Sequence, residues 1–326
     1  MAKKYTLAGL FCMACALGSL CLGAAHLTLP ELFRAIGNGP RDTAGFIFWY
    51  VRLPRTAGCL LAGAALAVSG AVIQNVLHNR LASPSIIGVN AGAGLAVTVC
   101  CALGGLSGWA VAGSAFLGAM ATVLLIVLVA RQAGASRTTV ILGGVAVNAV
   151  LNAFSEAITT LIPEVGVLSA DFRVGGFASV SFVRLIPAGI GILAALAVVC
   201  LLHNELDVLG LGEETAHSLG LPVNTMRTVF LILAAMLSGC AVSFAGLLGF
   251  VGLLVPHGVR KLCGSKSGNL LPLCALLGGG FVTVCDLCAR LLFAPYELPV
   301  GIVLSLLGGP FFLYLLLKRK GGRADA

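Results

Sequence analysis

Charge is scarce in this sequence. Only 10% of its 326 residues are Asp, Glu, Lys or Arg, against about 25% in a soluble domain. Aromatic residues are few as well, at 7%, with two Trp and four Tyr. So little charge excludes an ordinary water-soluble globule, which cannot hide so large an apolar excess. It also excludes a disordered chain, which would be poor in apolar residues. No G-x-x-x-x-G-K-S/T run occurs, since Gly264-Ser-Lys-Ser-Gly268 lacks the spacing. The chain therefore has no P-loop to cradle nucleotide phosphates. His26, His78, His203, His217 and His257 stand near segment ends or in loops, and no two share a helix face. That leaves no ligand pair for a haem or a metal within a bilayer.

What is present is apolar. Hydrophobic residues make up 59% of the chain and the mean hydropathy is +1.06. A spanning helix needs about 20 apolar residues, so ten of them use roughly 200 and leave no room for a large soluble domain. The expected fold is all-α: one polytopic membrane domain over residues 1–326 with about ten transmembrane helices. Nine apolar runs supply spans at Thr6–Leu27, Thr56–Leu77, Ile86–Leu106, Trp109–Ala130, Thr139–Ile162, Phe182–Leu202, Thr228–Leu248, Leu270–Phe293 and Leu298–Leu317. The first run exceeds the 7–15 residues of a signal-peptide core and reads as an uncleaved span. Between the seventh and the next long run lies Gly249–Leu262, short and interrupted by Pro256. It reads as a broken helix buried in protein, where irregular backbone is tolerated.

The twenty basic residues decide the crossing count. With Lys3 and Lys4 in the cytoplasm and ten crossings, thirteen of them fall inside and seven outside or at its membrane edge: Arg34, Arg41, Arg52, Arg55, Arg173, Arg184 and Arg290. The bias has the sign of the positive-inside rule. If Gly249–Leu262 did not cross, Lys318-Arg319-Lys320 would move outside. Both termini are therefore expected in the cytoplasm. The first outer loop still carries four Arg, an excess that suggests an acidic partner outside. The net charge of +8 comes from this topology rather than from a basic helix face, so nucleic-acid binding is not expected. Of the twelve Cys, eleven lie in apolar runs. Cys12-x-x-Cys15 and Cys285-x-x-Cys288 have redox-like spacing, but no Cys/His set completes a metal site. Cys here reads as a small packing residue, as do the four-spaced Gly63, Ala67 and Ala71, then Gly88 and Gly92.

Three places invite chemistry. Span five carries Asn148, Asn152, Ser155, Glu156 and Thr159, which share one helix face about 100° wide. A central charge facing lipid costs about 2.5–3.5 kcal/mol, so the stripe either lines a pathway or hydrogen-bonds a packed helix. Span nine carries Asp286 and Arg290, four apart, as an intrahelical pair or as an outward-facing group. The longest inner loop, about 203–227, holds Gly212-Glu-Glu-Thr-Ala-His-Ser-Leu-Gly220. It reads as a short helix with acids in its first turn and a Gly stop, serving a soluble partner or a solvated connection.

The chain resembles the permease subunits of ABC importers for iron–siderophores, haem and cobalamin over nearly its whole length. Arg52-Leu-Pro-Arg-Thr56 followed by Ala62–Ala71 is similar to the family's second-helix signature. Gly212–Gly220 resembles its ATPase-contacting loop. Gly249–His257, Glu297-Leu-Pro-Val-Gly301 and Gly309-Pro-Phe-Phe-Leu313 are similar to three further signatures. Two departures stand out. Asn79-Arg-Leu-Ala-Ser-Pro84 has Arg80 where the family has Pro and Ser83 where it has an acid. Phe172-Arg-Val-Gly-Gly176 replaces a Trp-containing stretch.

The resemblance implies an ABC type II importer permease in a bacterial inner membrane. It implies a homodimer with the pathway on its axis, lined by Asn148, Asn152, Ser155, Glu156 and Thr159. Two cytoplasmic ABC ATPase subunits, using ATP and Mg, would engage Glu213, Glu214, Thr215, Ala216, Ser218, Leu219 and Gly220. A periplasmic or lipid-anchored binding protein would dock on Arg52, Arg55 and Arg290. Ser136, Thr138 and Thr139 would form a cytoplasmic gate. The chain itself would bind no cofactor and catalyse no reaction. The expected cargo is an iron(III)–siderophore complex, with haem or cobalamin as alternatives. An ion-coupled secondary transporter using Glu156 or Asp286 is the rival of another class.

Overall fold

The computed structural model describes residues 1–23, 29–132, 137–292 and 296–321. Among them there is no strand. The helices are α1 (Ala2–Cys21), α2 (Leu29–Asn38), α3 (Thr43–Phe46), a π-helical turn (Ile47–Arg52), α4 (Leu53–Val76), α5 (Val89–Ala102), α6 (Gly108–Gln132) and α7 (Arg137–Leu161). They continue as α8 (Pro163–Val174), α9 (Phe182–Leu201), α10 (His203–Leu209), α11 (Glu213–Ser218), α12 (Val223–Ala245), α13 (Val251–Cys263), α14 (Ser267–Leu291) and α15 (Val300–Gly321).

Seven helical segments are long and apolar enough to span a membrane: α1, Thr43–Val76, α6, Thr138–Leu161, α9, α12 and α14. Two shorter apolar helices, Val89–Ala102 and Val300–Leu315, fall below that length. With α13 these approximate the ten expected segments, and several end at other residues than the expected runs. The third is shorter than Ile86–Leu106, because Gly88, left-handed at φ 84°, starts α5 and Gly104 and Gly105 follow its end. The seventh stops at Ala245 because Gly246 takes φ 71°. Residues 246–250 are then irregular, and α13 follows them. The sequence reading also missed α8 altogether.

Helix α4 is the hub, packed by α1, α9, α12, α13 and α14, and its apolar window is 83% buried. Small residues make this possible. A Cβ on Gly63 would lie 2.2 Å from the Gly278 carbonyl oxygen, and one on Gly70 would lie 1.9 Å from that of Gly252. Gln74 donates to the same Gly252 carbonyl at 3.0 Å, which satisfies backbone freed near Pro256. Gly70→Leu is therefore expected to cost about 1–3 kcal/mol or more, because the obstruction is backbone. Thermal unfolding in detergent checks this beside Gly9→Ala, where nothing lies within 4 Å and no loss is expected.

Contacts fix which helix ends share a face. On the N-terminal face Tyr5 donates to Asn269, Asn75 to Ser267, and His78 meets the Gly210 carbonyl, each at 3.1 Å. The Asp207 carboxylate accepts from the Ser267 N–H at the start of α14 at 2.8 Å, a favourable place for an anion. On the opposite face the end of α1 meets the starts of α4 and the end of α14 through Arg52 and Arg290.

Candidate functional site

The polar stripe of α7 divides in two. Asn148 donates to the carbonyls of Ser85 (2.9 Å) and Ile86 (3.3 Å), and Ser155 is buried against Thr98 of α5 at 3.0 Å. These two hold α7 to α5 and to the turn before it. Asn152 and Glu156 are exposed on the protomer surface, and Thr159 is half-buried and donates to the Glu156 carbonyl. Exposed Leu142 and Val145 continue the same open side of α7, and Val150 and Phe154 are bare on its other side. A carboxylate on a membrane-depth surface does not face hydrocarbon cheaply.

Helix α8 folds back from the end of α7. Pro163 fits its first turn, Glu164 is in that turn, Arg173 is in the last, and Gly175 at φ 78° ends it. The fold-back brings the Arg173 guanidinium to Ser155, to which it donates at 3.3 Å. Ser155 is six residues from the end of α7, about 9 Å below it. The expected place of Arg173 is outside or at the membrane edge, and the structure sets its guanidinium against α7 near the end of that helix. Leu247 of the irregular segment donates to the Phe172 carbonyl at 2.9 Å. Gly301 at the start of α15 comes so close that a Cβ there would lie 1.8 Å from the Val174 carbonyl oxygen. These pieces enclose an open cavity of about 580 Å³ lined by Asn90, Arg173, Leu247, Gly301 and Ser305 among others. Irregular backbone at this depth is tolerated because it lines a cavity.

The three arginines expected to dock a partner are turned inward. Arg52, Arg55 and Arg290 are only 3%, 6% and 3% exposed. Arg55 donates through Nε and Nη2 to both Asp286 oxygens at 3.0–3.2 Å and through Nη1 to Glu297 at 2.6 Å. Asp286 is wholly buried, and Arg290 Nε lies 3.1 Å from it without hydrogen-bond alignment. Arg290 Nη2 donates to Ser19 Oγ at 2.8 Å, and Ser19 meets Thr56 at 2.8 Å. Arg52 donates to the last carbonyls of α1, at Leu20 and Cys21, which lack intrahelical donors. The reason for the inward turn is that Asp286 and these carbonyls need partners. Arg34 is exposed on the same face. Arg55 and Glu297 also border an outer cavity of about 370 Å³ with Asp171 and Arg184.

On the N-terminal face α11 is held by Ala216, which is fully buried, and by an ion pair from Arg227 to Glu213. Glu214, Thr215, Ser218, Leu219 and Gly220 are exposed, and Leu211 and Leu219 are each 63% exposed on either side of the helix. Of the expected gate, Thr138 is exposed and Thr139 half-buried at the start of α7, while Ser136 lies outside the described residues. All twelve Cys are free, and no metal-holding cluster of His, Cys, Asp or Glu occurs among the described residues. Arg173, Asn90 and Ser305 are the lining residues that sequence reasoning missed.

The profile of the FecCD transport family matches residues 11–318. The iron-uptake system permease protein FeuB of Bacillus subtilis is 36% identical, covering 94% of this chain and 92% of its own. The vitamin B12 import system permease protein BtuC of Shigella boydii is also 36% identical, over 93% and 91%. The Fe(3+)-citrate import system permease protein YfmD of Bacillus subtilis is 36% identical, over 93% and 90%. Among solved structures, the inward-facing conformation of a putative metal-chelate type ABC transporter superposes with a TM-score of 0.87. It is 28% identical, over 98% of this chain and 100% of that one.

Proposed function

The chain belongs to the FecCD transport family, and from that premise we propose that it is the permease subunit of an ATP-driven importer that moves an iron(III) chelate inward across a bacterial inner membrane. The observation that carries this reading is the open 580 Å³ cavity, lined by Asn90, Arg173, Gly301 and Ser305. Its rim includes bare Leu306, and α7 separately presents exposed Asn152 and Glu156 beside bare Val145. Neither lipid nor water suits such a face alone. A second copy of the chain covers its apolar part and leaves the polar part as a path on the dimer axis.

The N-terminal face is then cytoplasmic, with both termini on it. Two ABC ATPase subunits press on α11 through Glu213, Glu214, Thr215, Ser218, Leu219 and Gly220, with Ala216 as the buried anchor. ATP and Mg are used there, since this chain has no P-loop. Thr138 and Thr139 close the path near the start of α7. A binding protein, periplasmic or lipid-anchored, settles on the opposite face. The Arg52, Arg55 and Arg290 network shapes its seat from beneath, and exposed Arg34 adds positive charge to it. Relatives named for iron, ferric citrate and vitamin B12 support a large chelate or corrinoid cargo, and iron is our choice among them.

The test is uptake in cells with and without the gene, using labelled iron as a ferric siderophore, labelled ferric citrate, labelled haem and labelled cobalamin in parallel. Loss of iron-chelate uptake alone, restored by the wild-type chain, is the expected result. Loss of haem or cobalamin uptake alone would overturn the choice of cargo. No loss with any of them would overturn the reading.

A further inference from the structure

Arg173 stands apart from the arginines of the outer face. Arg55 and Arg290 share Asp286, and Arg52 caps α1. Arg173 is exposed, and its one recorded hydrogen bond is the 3.3 Å donation to Ser155. Among the described residues no carboxylate lies within ion-pair distance of it. Its place at the end of α8 gives some dipole support. Yet the nearby carbonyls of Asp171 and Phe172 already take the N–H groups of Gly175 and Leu247, so helix capping does not use its guanidinium. It is also the one ionisable residue among those lining the 580 Å³ cavity. Glu156 is adjacent to Ser155 in sequence but about 100° round α7 from it, and it is not among the lining residues.

An uncompensated cation packed against a helix long and apolar enough to span a membrane is costly unless it faces water or an anion. A guanidinium forks onto paired oxygens, and iron(III) chelates built from carboxylates or catecholates present such oxygens with net negative charge. We infer that Arg173 is the specificity-determining cation of the pathway, one from each copy of the dimer, and that it favours iron(III) chelates of net negative charge over neutral cargo. This inference rests on the importer reading above. Asn90 and Ser305 supply neutral hydrogen-bonding groups in the same cavity, and the selection by charge falls to Arg173.

The experiment uses the complete importer in vesicles with its ATPase and binding protein. Labelled ferric tris-catecholate, labelled ferric citrate and labelled cyanocobalamin are offered separately. With an anionic chelate as cargo, Arg173→Gln is expected to lower the maximal uptake rate at least tenfold, and Arg173→Glu further. Arg173→Lys, which keeps the charge, should retain a third or more. The KM for loaded binding protein should stay within twofold of wild type in all three, because docking occurs on the outer face. Melting temperature in detergent separates misfolding from selectivity. If Arg173→Gln melts normally and transports the anionic chelate at the wild-type rate, the inference is overturned. Equal losses in the Lys and Gln variants would also overturn it. Wild-type uptake of cyanocobalamin alone would overturn it and leave an importer standing, whereas uptake of no probe would overturn the importer reading too.

Discussion

Asp286→Ala is expected to destabilise the chain by about 3–5 kcal/mol, the usual cost of leaving a buried charge without its partner. Asp286 is 0% exposed and serves two guanidiniums, accepting Arg55 in a forked pair and standing 3.1 Å from Arg290. Removal strands both. Arg55 retains Glu297, whose side chain is 35% exposed, so that pair is partly screened by water and offsets little. Arg290 retains only Ser19 and the Leu22 carbonyl. The same change loosens the joint between α1, α4 and α14, because Ser19 and Thr56 are tied into the network. Thermal unfolding in detergent should show a drop of at least about 5 °C. Asp286→Asn, which keeps an acceptor without the charge, should fall between. Glu297→Gln should move the melting temperature by less than about 2 °C. A normal melting temperature for Asp286→Ala would show that the network does not hold the outer end together.

Leu219→Arg is expected to cut ATP-driven uptake about a hundredfold or more with the fold intact. Leu219 is 63% exposed and follows α11 directly; the helix stays anchored by Ala216 and by the Arg227–Glu213 pair. On the proposed reading an ATPase covers this leucine in the assembled importer. Burying an unpaired guanidinium there costs several kcal/mol, and about 2.7 kcal/mol is already a hundredfold in an association constant. The ATPase should fail to co-purify with the variant, while its melting temperature stays at the wild-type value. An ion-coupled transporter working through Glu156 or Asp286 has no use for this contact. Full uptake by Leu219→Arg would therefore favour that rival.

Much of the fold was legible because membrane helices announce themselves by run length. The short helix expected at Gly249–Leu262 was legible too, and it forms as α13. Gly212 and Gly220 bracket α11 as their punctuation suggests, at φ 117° and 80°. The Asp286–Arg290 pair followed from four-residue spacing. Arg55, 231 positions from Asp286, could not be joined to it by any local pattern, so its burial went unread. Helix α8 was missed because its residues mix apolar and polar types without a spanning run. Its signals were nevertheless present: Pro163 in the first turn, Glu164 beside it, Arg173 in the last turn and Gly175 after. Attention to those caps would have found the helix. Only the fold-back onto α7 could show that Arg173 reaches Ser155.

The expected stripe on α7 shows the same limit from the other side. Periodicity placed Asn148, Asn152, Ser155, Glu156 and Thr159 on one face about 100° wide, but a face that broad meets two environments. Its Asn148–Ser155 edge packs on α5, and its Asn152–Glu156 edge stays open. Local angle fixes the face, and only the neighbouring helices decide how it is shared.

The central claim is that a dimer of this chain passes an iron chelate inward when a partner ATPase turns over. Vesicles reconstituted with the purified chain and its ATPase, with binding protein loaded with labelled iron chelate added to the side opposite the ATPase, test it most directly. The account predicts accumulation on the ATPase side that requires ATP and Mg together with the binding protein and persists when ion gradients are collapsed. Accumulation that proceeds without ATP and vanishes with the ion gradient would contradict it.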